Sequence, residues 1–340
     1  MKAKLRPRID LENRTPLETV IPLSVPFVIF VDPCDTCNFQ CRFCPTGDRL
    51  LMRKTRGRGH GPMDFDLFKK IINDISEFEK PIKVLRLYKD GEPLLNPMFA
   101  EMVEYARKKN CAERIDTTTN GTLLNKKMIP RIIDAGIDRI NISIIGLDSK
   151  RYINFSKYKI DFERFVDTLR LLYENRKQCE IIIKINGDII SEAEKGEFLE
   201  IFGEIADGVY IEHIIDCWPN FNLKGVEANS KVGIYGQPLT SVSVCPYVFY
   251  SFSLNSDGTA SLCFLDWARR LIIGDSKKQK VKDIWNSSIL FEYQKMFLMK
   301  KRQEHPICAN CSQLTHGMPD NIDMHAQMLL NRLIEYRTLS

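Results

Sequence analysis

From Phe27 to about Ile214, short runs of β-branched residues alternate with amphipathic stretches, and this alternation restricts the fold more than any other feature of the chain. It is the pattern of a parallel sheet with crossover helices. The spacing predicts strands over 27–31, 84–87, 114–119, 139–144, 180–185 and 209–214. The helix after the first strand is the most distinct, with Phe65, Phe68, Ile71, Ile72 and Ile75 on one face. Others are predicted to begin near Pro97, Asn125, Asp161 and Glu192. Six βα units without a seventh or eighth predict an open, partial (β/α)6 TIM-like barrel of the α/β class, whose ligands collect at the carboxyl ends of the strands. The pattern changes after Trp218. Residues 220–240 read as a Gly-, Asn-, Lys- and Ser-rich linker. Two apolar runs joined by Asn255-Ser256-Asp257-Gly258 then signal a hairpin, followed by helices near 281–285, 290–299 and 323–336. The expected division is an extension over 1–26, the barrel over 27–219, a linker over 220–240, a small α+β domain over 241–318 and a terminal helix over 319–340.

Composition closes off other classes. With 44% hydrophobic and 27% charged residues, the 340-residue chain is globular rather than disordered. Its longest apolar stretch, 21–31, is broken by Pro22 and Pro26 and is too short to span a bilayer, so a cytoplasmic protein without membrane contact is expected. The net charge of +5 arises wholly in residues 1–60, where 11 Lys/Arg face 6 Asp/Glu. That is too local for a nucleic-acid stripe, and no nucleic-acid partner is expected.

Eleven cysteines are many for a reducing compartment, where thiols more often bind metal than cross-link. Cys37, Cys41 and Cys44 form C-x3-C-x2-C just after the first strand. Three thiolates there can hold three irons of a [4Fe–4S] cube and leave the fourth open. A zinc knuckle including Cys34 is the alternative, although zinc usually draws its pairs from two separated segments. The bacterial ferredoxin run orders its gaps differently. The later set, Cys245, Cys263, Cys308 and Cys311, is compatible by spacing alone with a four-cysteine zinc site.

The segment Cys37-Asn-Phe-Gln-Cys41-Arg-Phe-Cys44 resembles the radical S-adenosylmethionine (SAM) superfamily, and further matches follow in order at strand ends over roughly residues 25–220. Gly91-Glu92-Pro93 looks like that family's GEP motif, which implies contact with the methionine amino group of SAM. Thr119 and Asn120 end the third strand as in the family. Ser143 stands where a polar residue meets the ribose or carboxylate, and Phe43 takes the aromatic position beside the adenine. The arginine that related enzymes often carry for the SAM carboxylate is missing; the 154–159 stretch offers Lys157 and Lys159, and Lys184 on the fifth strand is another candidate. The late cysteines, with Gly258 and Ile284-Trp285-Asn286, resemble the twitch domain, the shortened relative of the SPASM domain, and their spacing is similar to that of the butirosin-pathway amino-cyclitol dehydrogenase. The resemblance implies SAM and two [4Fe–4S] clusters, one of them auxiliary, and an external one-electron reductant such as flavodoxin or ferredoxin.

Within that family the expected reaction is oxidation of a sugar, cyclitol or nucleotide-sugar-like alcohol, with the auxiliary cluster as electron acceptor. The runner-up is epimerisation with Cys217, at the end of the sixth strand, as hydrogen donor. Peptide modification is a third reading, disfavoured by the shortness of the segment before the first strand. A basic loop after the cluster cysteines offers Arg53, Lys54, Arg56 and Arg58 for a substrate phosphate, with Gly57, Gly59 and Gly61 as hinges of a lid.

Overall fold

The computed structural model describes residues 2–7, 9, 13–317 and 319–339; residues 1, 8, 10–12, 318 and 340 of the ranges assigned above lie outside it. Ten strands form one sheet: β1 (Lys4–Leu5), β2 (Val28–Val31), β3 (Ile82–Arg86), β4 (Ala112–Thr119), β5 (Arg139–Ile144), β6 (Glu180–Asn186), β7 (Gly208–Glu212), β8 (Ser251–Leu254), β9 (Thr259–Ser261) and β10 (Ile272–Asp275). Their order is β1-β7-β6-β5-β4-β3-β2-β8-β9-β10. Strands β2 to β7 lie side by side in chain order and are all parallel. These are the six βα strands that the alternation predicts, each displaced by no more than a few residues.

Alternate residues of these strands face opposite ways, and the two faces differ in chemistry. Ile29, Leu85, Ile115, Ile140, Ile183 and their like are buried beneath the helices. The helix Phe65–Ile75 shows how the outer layer is built. Asp64 caps it by accepting from the Leu67 amide at 2.9 Å, and Phe68, Ile71, Ile72 and Ile75 are buried on one side. The inner face is mixed, with Val28, Phe30 and Val84 on the cavity beside a row of charges. Arg86, Asp116, Arg139 and Glu180 stand in register on four neighbouring strands, alternating in sign. Arg86 and Arg114 approach Asp116 at 3.8 and 3.6 Å, and Arg139 donates to Glu180 at 2.5 Å. Opposite charges facing one another across strands stabilise the pairing.

The module after the barrel is not set apart from it. Strand β8 pairs in parallel with β2, Val28 opposite Ser251 through Val31 opposite Leu254, and the β8–β9 hairpin and β10 extend the same sheet. Phe252 is fully buried there, stacked on Trp285 at 5.8 Å. At the other edge β1 adds to β7. Residues 213–246, which include the expected linker, carry no helix or strand but are tied down at several points. The Tyr210 hydroxyl donates to the Tyr235 carbonyl at 2.7 Å, and the Ile234 amide donates to the His316 carbonyl at 2.8 Å. Among the described residues no helix is long and apolar enough to cross a membrane.

Candidate active site

A cavity of about 570 Å³ opens inside the curve of the sheet, with Cys37, Cys41 and Cys44 at its rim. The cysteine loop follows β2 and is held by the loops after β3 and β4. Gly91 packs so closely on it that a Cβ would stand 2.2 Å from the Cys34 carbonyl oxygen and 2.3 Å from that of Thr36. Glu92 is 2% exposed, and its backbone amide donates to the Thr36 carbonyl at 2.9 Å. Its carboxylate accepts from the Thr119 hydroxyl at 2.5 Å, the Asn120 amide at 2.8 Å and the Leu94 amide at 3.1 Å. Burial pushes the Glu92 carboxyl above its usual range, against these hydrogen bonds. Asn120 in turn donates from its side chain to Asn38 at 2.8 Å. Three strand-end loops are thus one hydrogen-bonded unit around the thiols.

The residues assigned to SAM fall into three groups. Phe43, Gly91, Glu92, Thr119, Asn120, Ser143 and Lys184 all line the cavity. The Ser143 hydroxyl has no side-chain hydrogen bond among the described residues and lines the cavity, open to a ligand. Lys184 reaches the cavity with its ammonium on Glu212, so its charge is already compensated. Pro93 is buried at the start of a short 3-10 turn and lies off the cavity, where it shapes the loop. Lys157 and Lys159 are exposed at and just beyond the C-terminal end of a helix, Ser149–Ser156, that the sequence pattern missed, and neither lines the cavity.

The four late cysteines surround a second, apolar cavity of about 30 Å³. Burial pushes all seven thiols of the two sets above their ordinary range, Cys37 and Cys308 to about 12. Such thiols give up their protons at neutral pH when a metal takes the sulfur. Among the described residues no three His, Cys, Asp or Glu side chains converge as they would on one ion. A four-iron cube holds its thiolates further apart. The donor sets, three thiols on a large cavity and four around a small one, fit a cluster with a free iron and a fully ligated one.

The basic loop is corrected. Residues Arg49–Lys54 are helical, and Arg53, Lys54 and Arg56 point to solvent rather than into the cavity. Arg58 turns inward with a fully buried side chain. It lies 3.1 Å from Asp90 and donates to the carbonyls of Trp267 at 2.9 Å and Asp35 at 3.2 Å. Arg58 therefore has no face left for a substrate phosphate. The loop is also no lid, because Asp35 accepts from the Gly59 and Gly61 amides at 2.9 and 2.8 Å. A buried cluster of Asp32, Asp35 and Asp90 with Arg58, Lys89 and Arg269 results, tying the cysteine loop to the late module.

Cys217 lines the large cavity, and burial pushes its thiol to about 12. Sequence reasoning missed the residues opposite. Tyr247, Leu265 and Gln313 line both cavities and form the wall between them. Gln313 donates to the Tyr247 hydroxyl at 3.1 Å, and Tyr247 meets Phe264 edge-on at 5.3 Å. The available signal was proximity, since Tyr247 and Leu265 each lie two residues beyond a late cysteine.

Comparison with known proteins agrees with this geometry. The sequence model of the radical SAM superfamily matches residues 31–199, and that of the SPASM iron–sulfur cluster-binding domain matches 245–312. The chain is 23% identical over 326 residues to a tungsten-containing aldehyde ferredoxin oxidoreductase cofactor-modifying protein of Pyrococcus furiosus, covering 84% of this chain and 86% of that one. The crystal structure of BtrN in complex with AdoMet and 2-DOIA superposes with a TM-score of 0.57 at 19% identity, over 84% of this chain and 93% of the other. Streptococcus suis SuiB bound to precursor peptide SuiA does so at 0.64 and 13% identity, over 88% and 72%. The two matched domains bring SAM, a [4Fe–4S] cluster and auxiliary iron–sulfur binding.

Proposed function

Because the chain belongs to the radical SAM superfamily and carries a SPASM domain, we propose that it oxidises a secondary alcohol of a small sugar-, cyclitol- or nucleotide-sugar-like molecule. When bound, SAM with its cluster supplies a 5′-deoxyadenosyl radical for hydrogen abstraction, and the auxiliary cluster supplies an acceptor for one electron. Cys37, Cys41 and Cys44 would hold the first cluster, and Cys245, Cys263, Cys308 and Cys311 the second. The Glu92–Thr119–Asn120 unit fixes the loops that orient SAM. Phe30, Tyr88, Phe264 and Tyr247 make a continuous aromatic wall along the cavity.

One observation carries the choice of oxidation: Tyr247, Leu265 and Gln313 each line both the large cavity and the pocket of the late thiols. An alcohol carbon losing a hydrogen atom must also lose one electron and one proton to become a carbonyl, and the separation is a single layer of side chains. BtrN, the structural relative crystallised with AdoMet and 2-DOIA, has the same fold. The test is an anaerobic assay of alcohol candidates following 5′-deoxyadenosine and product mass. Product two mass units lighter than substrate is expected, and Cys217→Ala should still form it.

Epimerisation is the second reading, favoured by the half-buried Cys217 thiol on the same cavity. A protonated thiol there can give a hydrogen atom to a substrate carbon radical, and the thiyl radical left behind is restored by one electron from the external reductant and one proton. In D2O, an isomeric product that gains one deuterium would select it, provided turnover stops in Cys217→Ala while SAM cleavage continues.

A further inference from the structure

One cationic side chain lines the small cavity of the late thiols. Arg302, at the start of a short 3-10 turn, is 7% exposed and lines that cavity with Cys245, Cys263, Cys308 and Cys311. Every other buried arginine of the described chain has an acidic partner: Arg58 and Arg269 both meet Asp35 and Asp90. Arg302 makes no ion pair with any described carboxylate, and its buried Nε has no hydrogen-bond partner. Its Nη1 donates to the Cys308 carbonyl, which fixes the guanidinium beside the thiols.

Asp266 lines the same cavity, but its carboxylate accepts from the Ser261 hydroxyl and the Arg270 and Leu271 amides and forms no ion pair with Arg302. A buried guanidinium without a direct counter-charge is unfavourable, and an anionic group held by the thiols would offset that cost. Four thiolates around a [4Fe–4S] core give a net negative group, and reduction adds one more negative charge. We propose that Arg302 is a positioning residue for the auxiliary cluster. Its guanidinium balances the negative charge, favours the reduced state and so raises the cluster's reduction potential. The function this serves is acceptance of an electron from the cavity beyond Tyr247. The inference itself rests only on a cluster being held by the four late cysteines.

The experiment uses the full chain with Cys37, Cys41 and Cys44 replaced by Ala, so that only the late site titrates, and follows reduction by EPR at set potentials. Arg302→Gln should load iron as its parent does. At a fixed potential it should show at least a tenfold lower ratio of reduced to oxidised cluster, equal to about 59 mV for one electron. Arg302→Lys, which keeps the charge, should stay close to the parent. If Arg302→Gln fails to hold iron while Arg302→Lys holds it at the parental potential, the charge requirement stands. An unchanged potential in a fully loaded Arg302→Gln overturns the proposal. So does an equal shift in both variants, or failure of both to load, since either assigns Arg302 a role in shape. A parent that takes up no iron is seen before Arg302 is changed, and overturns the cluster assignment together with this inference.

Discussion

At Gly91 the chain has no room for a methyl group, since the Cβ would press on two carbonyl oxygens of the cysteine loop. Gly91→Ala is expected to separate the two loops, costing about 1–3 kcal/mol as overpacking does. It should lower the thermal midpoint and abolish SAM binding in calorimetry. A second residue sets a pH dependence. Burial and the neighbouring Asp90 raise the Asp32 carboxyl to about 7, while Asp90, despite its burial, is held low by Arg58, Lys89 and Arg269. Between the ordinary aspartate value of about 3.9 and the raised one, the folded chain keeps a proton that the unfolded chain has lost. Stability should therefore fall as pH rises through that window, by up to about 1.4 kcal/mol per unit. Denaturant titrations of Asp32→Asn should show this slope removed. The thiols of both sets were legible because their spacing is a local property of the chain. The fate of Arg58 was not, because its partners Asp35 and Asp90 are distant in sequence, and a charge run reads alike whether solvated or buried.

Among the elements, β8 carries the junction of barrel and late module. Phe252 on this strand stacks on Trp285 inside the joint core. Phe252→Ala should cost about 3–5 kcal/mol. Because β8 is hydrogen-bonded to β2, near- and far-ultraviolet circular dichroism should report one coincident transition for the variant and its parent. Two separated transitions would show that the shared sheet does not couple the halves. The six barrel strands were legible because they are long, β-branched and bounded by amphipathic helices. Strand β1, at two residues, leaves no period to read. Helix Ser149–Ser156 starts on the Asp148 side chain, which accepts from the Arg151 amide at 2.7 Å, but its weak apolar face hid it. The hairpin's turn residues announced β8 and β9. Nothing in them specified that β8 would lie along β2, since periodicity records which face is buried and not which edge is joined.

For the molecule as a whole, the two thiol sets predict about eight iron atoms per reconstituted chain, and about four after replacement of Cys37, Cys41 and Cys44 by Ala. Iron analysis with SAM-cleavage assays checks both numbers, since the second preparation should cleave none. The wall formed by Tyr247, Leu265 and Gln313 bears on how long such a protein survives in air. Dioxygen is small and apolar, and an open substrate cavity admits it between turnovers. The late thiols lie behind this three-residue wall, and its one aromatic ring, Tyr247, is also their shutter against oxygen. Tyr247→Ala would join the two compartments. The variant should keep its iron under argon yet bleach in air several-fold faster than the parent, in the absorbance that belongs to the late site.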